Sequence, residues 1–139
     1  MRFMVIVKAN KDSEAGKLPT EKELTAMGKF NEQLAKAGLL LAGEGLQPSS
    51  KGARIKFTGG KRTVIDGPFA ETKELVAGFW LLQMKSKEEV IEWIKRAPFT
   101  NNEEVEIRQV FEAEDFGDAL TPEIREQEER LRRETGWKK

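Results

Sequence analysis

The chain contains no histidine, no cysteine and no tyrosine. Imidazole, thiolate and phenol are the side chains most often used as base, soft nucleophile and weak acid, so these absences exclude whole classes of chemistry. No Ser-His-Asp triad, Cys-His pair, zinc finger, iron-sulfur centre or haem-histidine ligation can be built from it. Any catalysis falls to carboxylates, Lys, Arg, hydroxyls, backbone N–H groups or a bound cofactor, and the residues themselves point to no metal and to no particular cofactor. No sign of charge dominates either, since 24 Lys and Arg stand against 24 Asp and Glu. Without a Lys/Arg block there is no electrostatic footprint for nucleic acid or an anionic membrane. Long apolar runs are also missing: the opening segment is interrupted at Lys8, well short of a signal-peptide core or a membrane span. Together these absences predict a cytoplasmic protein whose partners are small molecules or other protein chains.

At 139 residues the chain is long enough for one domain, and such a domain buries roughly two thirds of the surface its extended chain exposes. Arg2 to Lys8 (RFMVIVK) is short, β-branched and aromatic, and predicts a strand. Thr20 and Glu23 form a capping box opening a helix to about Ala37, with Leu24, Met27, Phe30 and Leu34 on one face and Gly38 as its stop. A second strand follows at Leu39 to Ala42, then the glycine-flanked carboxylate Gly43-Glu44-Gly45. Arg54 to Phe57 and Arg62 to Ile65 read as a β-hairpin, and Asp66-Gly67-Pro68-Phe69 as a turn, because Pro68 lacks a donor. Val76 to Met84 is the strongest strand candidate. Ser86 and Glu89 cap a second helix that Pro98 ends, and Val105 to Phe111 alternates as a last strand. Beyond Glu112, Thr121-Pro122 opens a charged helix with Glu126/Arg130, Glu128/Arg132 and Glu129/Arg133 at i,i+4. The order β-α-β, hairpin, β-α-β predicts a ferredoxin-like α+β layer with an inserted hairpin and a C-terminal helical arm.

Two helices cover one face of such a sheet, and its other face is expected to turn polar. Here the long strands stay apolar on both sides, which predicts an uncovered row of Met4, Ile6, Trp80, Leu82 and Met84. A patch of that size is more than monomers usually expose, and the expected solution is a homodimer with facing sheets. The alternative is that the hairpin or the C-terminal helix folds back over that face within one chain.

The densest chemistry lies in Asp66 to Glu74, which holds the carboxylates Asp66, Glu71 and Glu74 and the amine of Lys73. Asp66 is a candidate acid or base, with Glu44 or Glu71 as second carboxylate and Arg54, Lys73 or Arg108 to hold an anion. Trp80 reads as core or as the apolar wall of a ligand site. Equally, Asp66 reads as a turn acceptor and its neighbours as a solvated cluster.

The motifs Ala42-Gly43-Glu44-Gly45-Leu46, Asp66 through Glu74 (DGPFAETKE), Gly78-Phe79-Trp80, Glu92-Trp93 and Val105-Glu106-Ile107-Arg108 resemble the YCII-related family in its DGPF-type branch. The similarity covers about residues 1–113, leaving 114–139 as a charged helical extension. What the resemblance implies is a dimeric α+β barrel with a cleft between the loop after the second strand and the DGPF turn. Relatives suggest an enzyme using a His and Asp pair, the His early in the first helix. Thr20 to Phe30 holds no His, so that pair does not carry over. The expected function is a homodimeric small-molecule-binding protein with carboxylate-based acid/base chemistry on a small anionic metabolite. The alternative, also implied by the resemblance, is a non-catalytic module associated with sigma-factor-type regulation.

Overall fold

Strand β1 (Arg2–Lys8) lies near the middle of a four-stranded antiparallel sheet of order β2-β5-β1-β6, where β2 is Leu40–Gly45, β5 Val76–Gln83 and β6 Val105–Gln109. The computed structural model describes residues 1–100 and 102–136, with Lys73 described by its backbone alone. Four helices accompany the sheet: α1 (Lys11–Glu14), α2 (Glu21–Lys36), α3 (Lys87–Ile94) and α4 (Pro122–Thr135). Strands β3 (Ala53–Thr58) and β4 (Lys61–Asp66) form a separate ribbon inserted between β2 and β5. This is the mixed α+β, ferredoxin-like arrangement with an inserted hairpin that the order of elements predicts.

Local signals set the boundaries. The Thr20 hydroxyl accepts from the Glu23 N–H at 3.1 Å and the Ser86 hydroxyl from the Glu89 N–H at 3.2 Å, so each cap satisfies a donor that the helix leaves open. Gly38 ends α2 in the left-handed region at φ 74°. Gly59 and Gly60, at φ 55° and 81°, supply the two positive dihedrals that a type I′ hairpin turn needs. The short helix α1 is capped by Asn10, whose Oδ1 accepts from the Ser13 N–H at 2.9 Å; it went unpredicted because a four-residue helix carries no apolar period.

The core sits between the sheet and helices α2 and α3. Phe3, Val5, Trp80, Leu82 and Met84 pack there against Phe30, Leu34, Val90 and Ile94. The register Phe3↔Leu82 and Val5↔Trp80 places these strand residues on one face, which corrects the predicted uncovered row. Trp80, Leu82 and Met84 belong with Phe3 and Val5 under the helices. Met4↔Leu81 and Ile6↔Phe79 make up the outer face instead, all four half-buried. The error arose from pairing two strands' alternations without their register, and a shift of one residue exchanges the faces.

The segment after β6 reaches one end of that outer face. Arg2, 5% exposed, donates from Nε to Glu112 Oε1 at 3.0 Å and from Nη2 to Oε2 at 3.3 Å. A fork of this kind holds the guanidinium out of water only while its carboxylate is present. Next comes a 3-10 segment, Ala113–Ala119, kinked at Gly117, and then α4, in which Arg132 Nη2 donates to Glu128 Oε1 at 2.9 Å and Arg130 pairs with Glu134 at 3.7 Å. Among the described residues, no helix is long and apolar enough to cross a membrane.

Two stability predictions follow from these contacts. Glu112→Ala removes the forked carboxylate partner of the buried Arg2 charge and should cost on the order of 3 kcal/mol in urea unfolding, with the Arg2→Met/Glu112→Leu double variant recovering most of it. A cost below about 1 kcal/mol for Glu112→Ala would contradict the pairing. At Gly67 an added Cβ would stand 1.7 Å from the Ser49 carbonyl oxygen. Gly67→Ala should therefore lose about 2 kcal/mol or more and expose the ribbon's base to limited proteolysis; an unchanged digestion pattern would contradict that.

Candidate functional site

A cleft of about 240 Å³ opens between α2 and the β2 edge of the sheet, lined by Val7, Met27, Asn31, Ala77, Trp80 and Phe99 with the strand segments Gly43–Gly45 and Gly78–Phe79. Helical spacing brings Met27 and Asn31 to one side, four residues apart. On the other side Trp80 is fixed from three directions. Phe30 meets it edge-on at 5.8 Å between centroids, Phe99 does so at 6.0 Å, and its Nε1 donates to Asn31 Oδ1 at 2.8 Å. That bond orients the Asn31 amide, leaving its NH2 end as the donor available to a ligand.

Glycine shapes the opposite wall. A Cβ at Gly43 would approach Trp80 Cδ1 to 3.0 Å, and one at Gly78 would approach the Glu44 carbonyl oxygen to 2.8 Å. Side chains at these two positions would close the cleft or push β2 from β5. Because β2 is an edge strand, some of its N–H and C=O groups point away from β5 and can take hydrogen bonds from outside the sheet.

The expected site residues divide among three places. Trp80 lies in the cleft, and Glu44 lies at its rim. Register pairs Glu44 with Phe79, however, so the Glu44 side chain shares the outer face and its main chain forms the rim. Arg108 also sits on the outer face, opposite Met4, where its Nη1 lies 3.2 Å from Glu106 Oε2. Asp66 ends β4 as the exposed cross-strand neighbour of Ala53, outside the cleft lining, and Glu71 is exposed beyond it. The Lys73 side chain lies outside the described residues. Arg54 covers the Phe69 ring at 3.8 Å and helps to close the DGPF turn, a position away from any ligand in the cleft.

The DGPF turn itself is a clamp. The Gly67–Pro68 peptide is cis. Gly67 N–H donates to the Gly52 carbonyl at 3.0 Å and Phe69 N–H to the Ser49 hydroxyl at 3.1 Å. Ser49 in turn donates to the Glu14 carboxylate from its hydroxyl and, at 2.9 Å, from its N–H. Within the nine residues that look most like chemistry in the sequence, Gly67 and Phe69 thus tie the turn to the base of the ribbon and, through Ser49, to Glu14 of α1.

Sequence reasoning passed over Asn31. Its signal was legible, since it interrupts the apolar face of α2 between Met27, Phe30 and Leu34, and a polar group there needs a partner. Glu14 and Ser49 gave no such signal, being 35 residues apart in polar segments. Among the described residues, no group of three or more Asp or Glu side chains could hold a metal ion.

Comparison with known proteins agrees with the motifs. An uncharacterised protein of Rhizobium meliloti (strain 1021) is 31% identical over 75 residues, which are 54% of this chain and 60% of the relative; the match thus spans less than two thirds of that protein. The solved structure of 5-chloro-2-hydroxyhydroquinone dehydrochlorinase (TftG) from Burkholderia phenoliruptrix AC1100, in complex with 2,5-dihydroxybenzoquinone, aligns with 82% of this chain and 97% of its own. Its TM-score is 0.42 at 13% identity. A family model described as the YCII-related domain matches residues 1–114. On the strength of that match, the chain belongs to the YCII-related domain family.

Proposed function

We propose that this chain is a homodimeric small-molecule-binding protein whose ligand lies in the cleft beside Trp80. The observation that carries the reading is the pairing of Trp80 Nε1 with Asn31 Oδ1 at 2.8 Å in a wall that is otherwise apolar. Small-molecule sites combine such walls with a few oriented polar groups. Volume and charge narrow the ligand class. An apolar cavity of about 150 Å³ holds benzene, so a cleft of about 240 Å³ suits one ring with one or two substituents. Among the described residues, no Lys or Arg lines it. The ligand is therefore a neutral ring compound, hydrogen-bonded to the Asn31 amide and the β2 edge. This replaces the anionic metabolite expected from Arg54 and Arg108, which lie elsewhere. With the carboxylates of Glu44, Asp66 and Glu71 outside the cleft, binding is better supported than proton transfer.

The homodimer rests on the outer face. Met4, Ile6, Phe79 and Leu81 form an apolar strip across the two central strands, framed by Ala42 and Glu44 on β2 and by Glu106 and Arg108 on β6. A second copy placed face to face would remove that strip from water. Its polar frame would then carry the register.

Ligand binding is tested by thermal shift with phenol, hydroquinone and benzamide against wild type and Asn31→Leu. At saturation the wild type should gain a few °C with at least one neutral ring compound, and Asn31→Leu should lose that gain. Asn31→Leu also lowers the unliganded Tm, because the Trp80 N–H loses its acceptor, so shifts are compared within each variant. No shift in the wild type, or an equal shift in the variant, would sink the reading.

A further inference from the structure

The β3–β4 ribbon stands clear of the body of its own chain. All twelve residues of its two strands are exposed, including Ile55 at 57%, Phe57 at 66% and Val64 at 63%. Isolated two-stranded ribbons are marginally stable in water, so a ribbon of this kind ordinarily packs against something. Its faces differ. The pairs Ile55↔Val64 and Phe57↔Arg62 share one side, with the Arg62 guanidinium 4.9 Å from the Phe57 ring centre; Lys56↔Thr63 and Thr58↔Lys61 share the other. Across Ala53 to Asp66 four cations (Arg54, Lys56, Lys61, Arg62) face one carboxylate. The base is held firmly by Glu14, Ser49 and Phe69, so the arm is presented in a fixed direction and little ordering remains for a partner to impose.

A complementary surface exists on the same molecule. Phe111 and Phe116, 66% and 50% exposed, stack with centroids 5.0 Å apart at 28°. The exposed carboxylates Glu114, Asp115 and Asp118 surround them, and no cation falls between 111 and 118. The ribbon leaves from edge strand β2, whereas the Phe111–Phe116 stack follows edge strand β6, at the opposite side of the sheet. One chain therefore keeps the two surfaces apart. Two sheets packed face to face about a two-fold axis along the strands set the β2 edge of each copy beside the β6 edge of the other.

We propose that the ribbon is an intersubunit arm, its Ile55/Phe57/Val64 face docking on the Phe111–Phe116 stack of a second copy, with Arg62, on that same face, against Glu114 and Asp118. The contact occurs twice in the dimer. It rests on the homodimer reading above and adds to it a defined place for the inserted hairpin.

The test is disulfide trapping, alongside sedimentation equilibrium of the wild type: the chain has no cysteine, so Val64→Cys mixed with Phe116→Cys reports one defined pair, with Thr63→Cys on the ribbon's other face as the control. A mixed disulfide formed by Val64→Cys with Phe116→Cys, and not by the Thr63→Cys control, supports the arm. A wild-type dimer in which that pair fails to form, or forms no faster than the control, overturns the arm and leaves the homodimer standing. A monomer at 100-fold dilution and at about 100 μM alike overturns both. Charge reversal supplies an independent arm of the test: Arg62→Glu should raise the dimer Kd at least tenfold, and adding Glu114→Lys should restore most of it. A Kd unchanged by Arg62→Glu counts against the docking.

Discussion

Strand β5 is apolar on both faces, and the rest of the molecule is arranged around that fact. Its inner side chains, Trp80 and Leu82, lie with Phe3 and Val5 beneath α2 and α3 and make the core. The outer side chains Phe79 and Leu81 lie with Met4 and Ile6 on the face that the helices do not cover. An antiparallel sheet with helices on one side normally turns polar on the other. Here the central strands do not, and only the flanking strands supply polar groups, Glu44 from β2 and Glu106 and Arg108 from β6. Such a pattern suits a sheet covered twice, once by its own helices and, in the homodimer proposed above, once by a second copy.

The same strand explains why the cleft lies where it does. Trp80 is itself buried in the core, and the gap beside it is kept open by glycine on β2 and β5 rather than filled. Asn31 accepts from the indole N–H that this packing covers, and in the proposed ligand site the same amide would also face the bound molecule. The DGPF turn does a different kind of work. Its Gly67 and the Phe69 N–H fit against Ser49, and Glu14 holds Ser49 from the far side. Rigidity at that point determines where the exposed ribbon is aimed.

Much of this was legible in the residues. The capping box at Thr20, the N-cap at Ser86, where Glu89 takes the Lys85 N–H and not that of Ser86, the turn glycines at 59 and 60 and the two-faced strands located the six described strands and the three longer helices to within a few residues. Register was not legible, because it is set by how two strands meet; the outer row was accordingly assigned Trp80 and Leu82 in place of Phe79 and Leu81. The site was read less well for a related reason. Charged residues close in sequence, such as Asp66, Glu71 and Lys73, attract attention as chemistry, whereas the cleft is made by Asn31, Gly43, Trp80 and Phe99, which only tertiary packing brings together. Asn31 alone carried a usable sign, as a polar interruption of an apolar helix face.

The central claim is that one sheet is buried on both sides, the outer side by a second copy of the chain. An isotope-filtered NOESY spectrum on an equimolar mixture of ¹³C-labelled and unlabelled protein tests it most directly. The account predicts intermolecular NOEs from the methyl groups of Met4, Ile6 and Leu81. Their absence, with those methyls showing only intramolecular and water contacts, would contradict it.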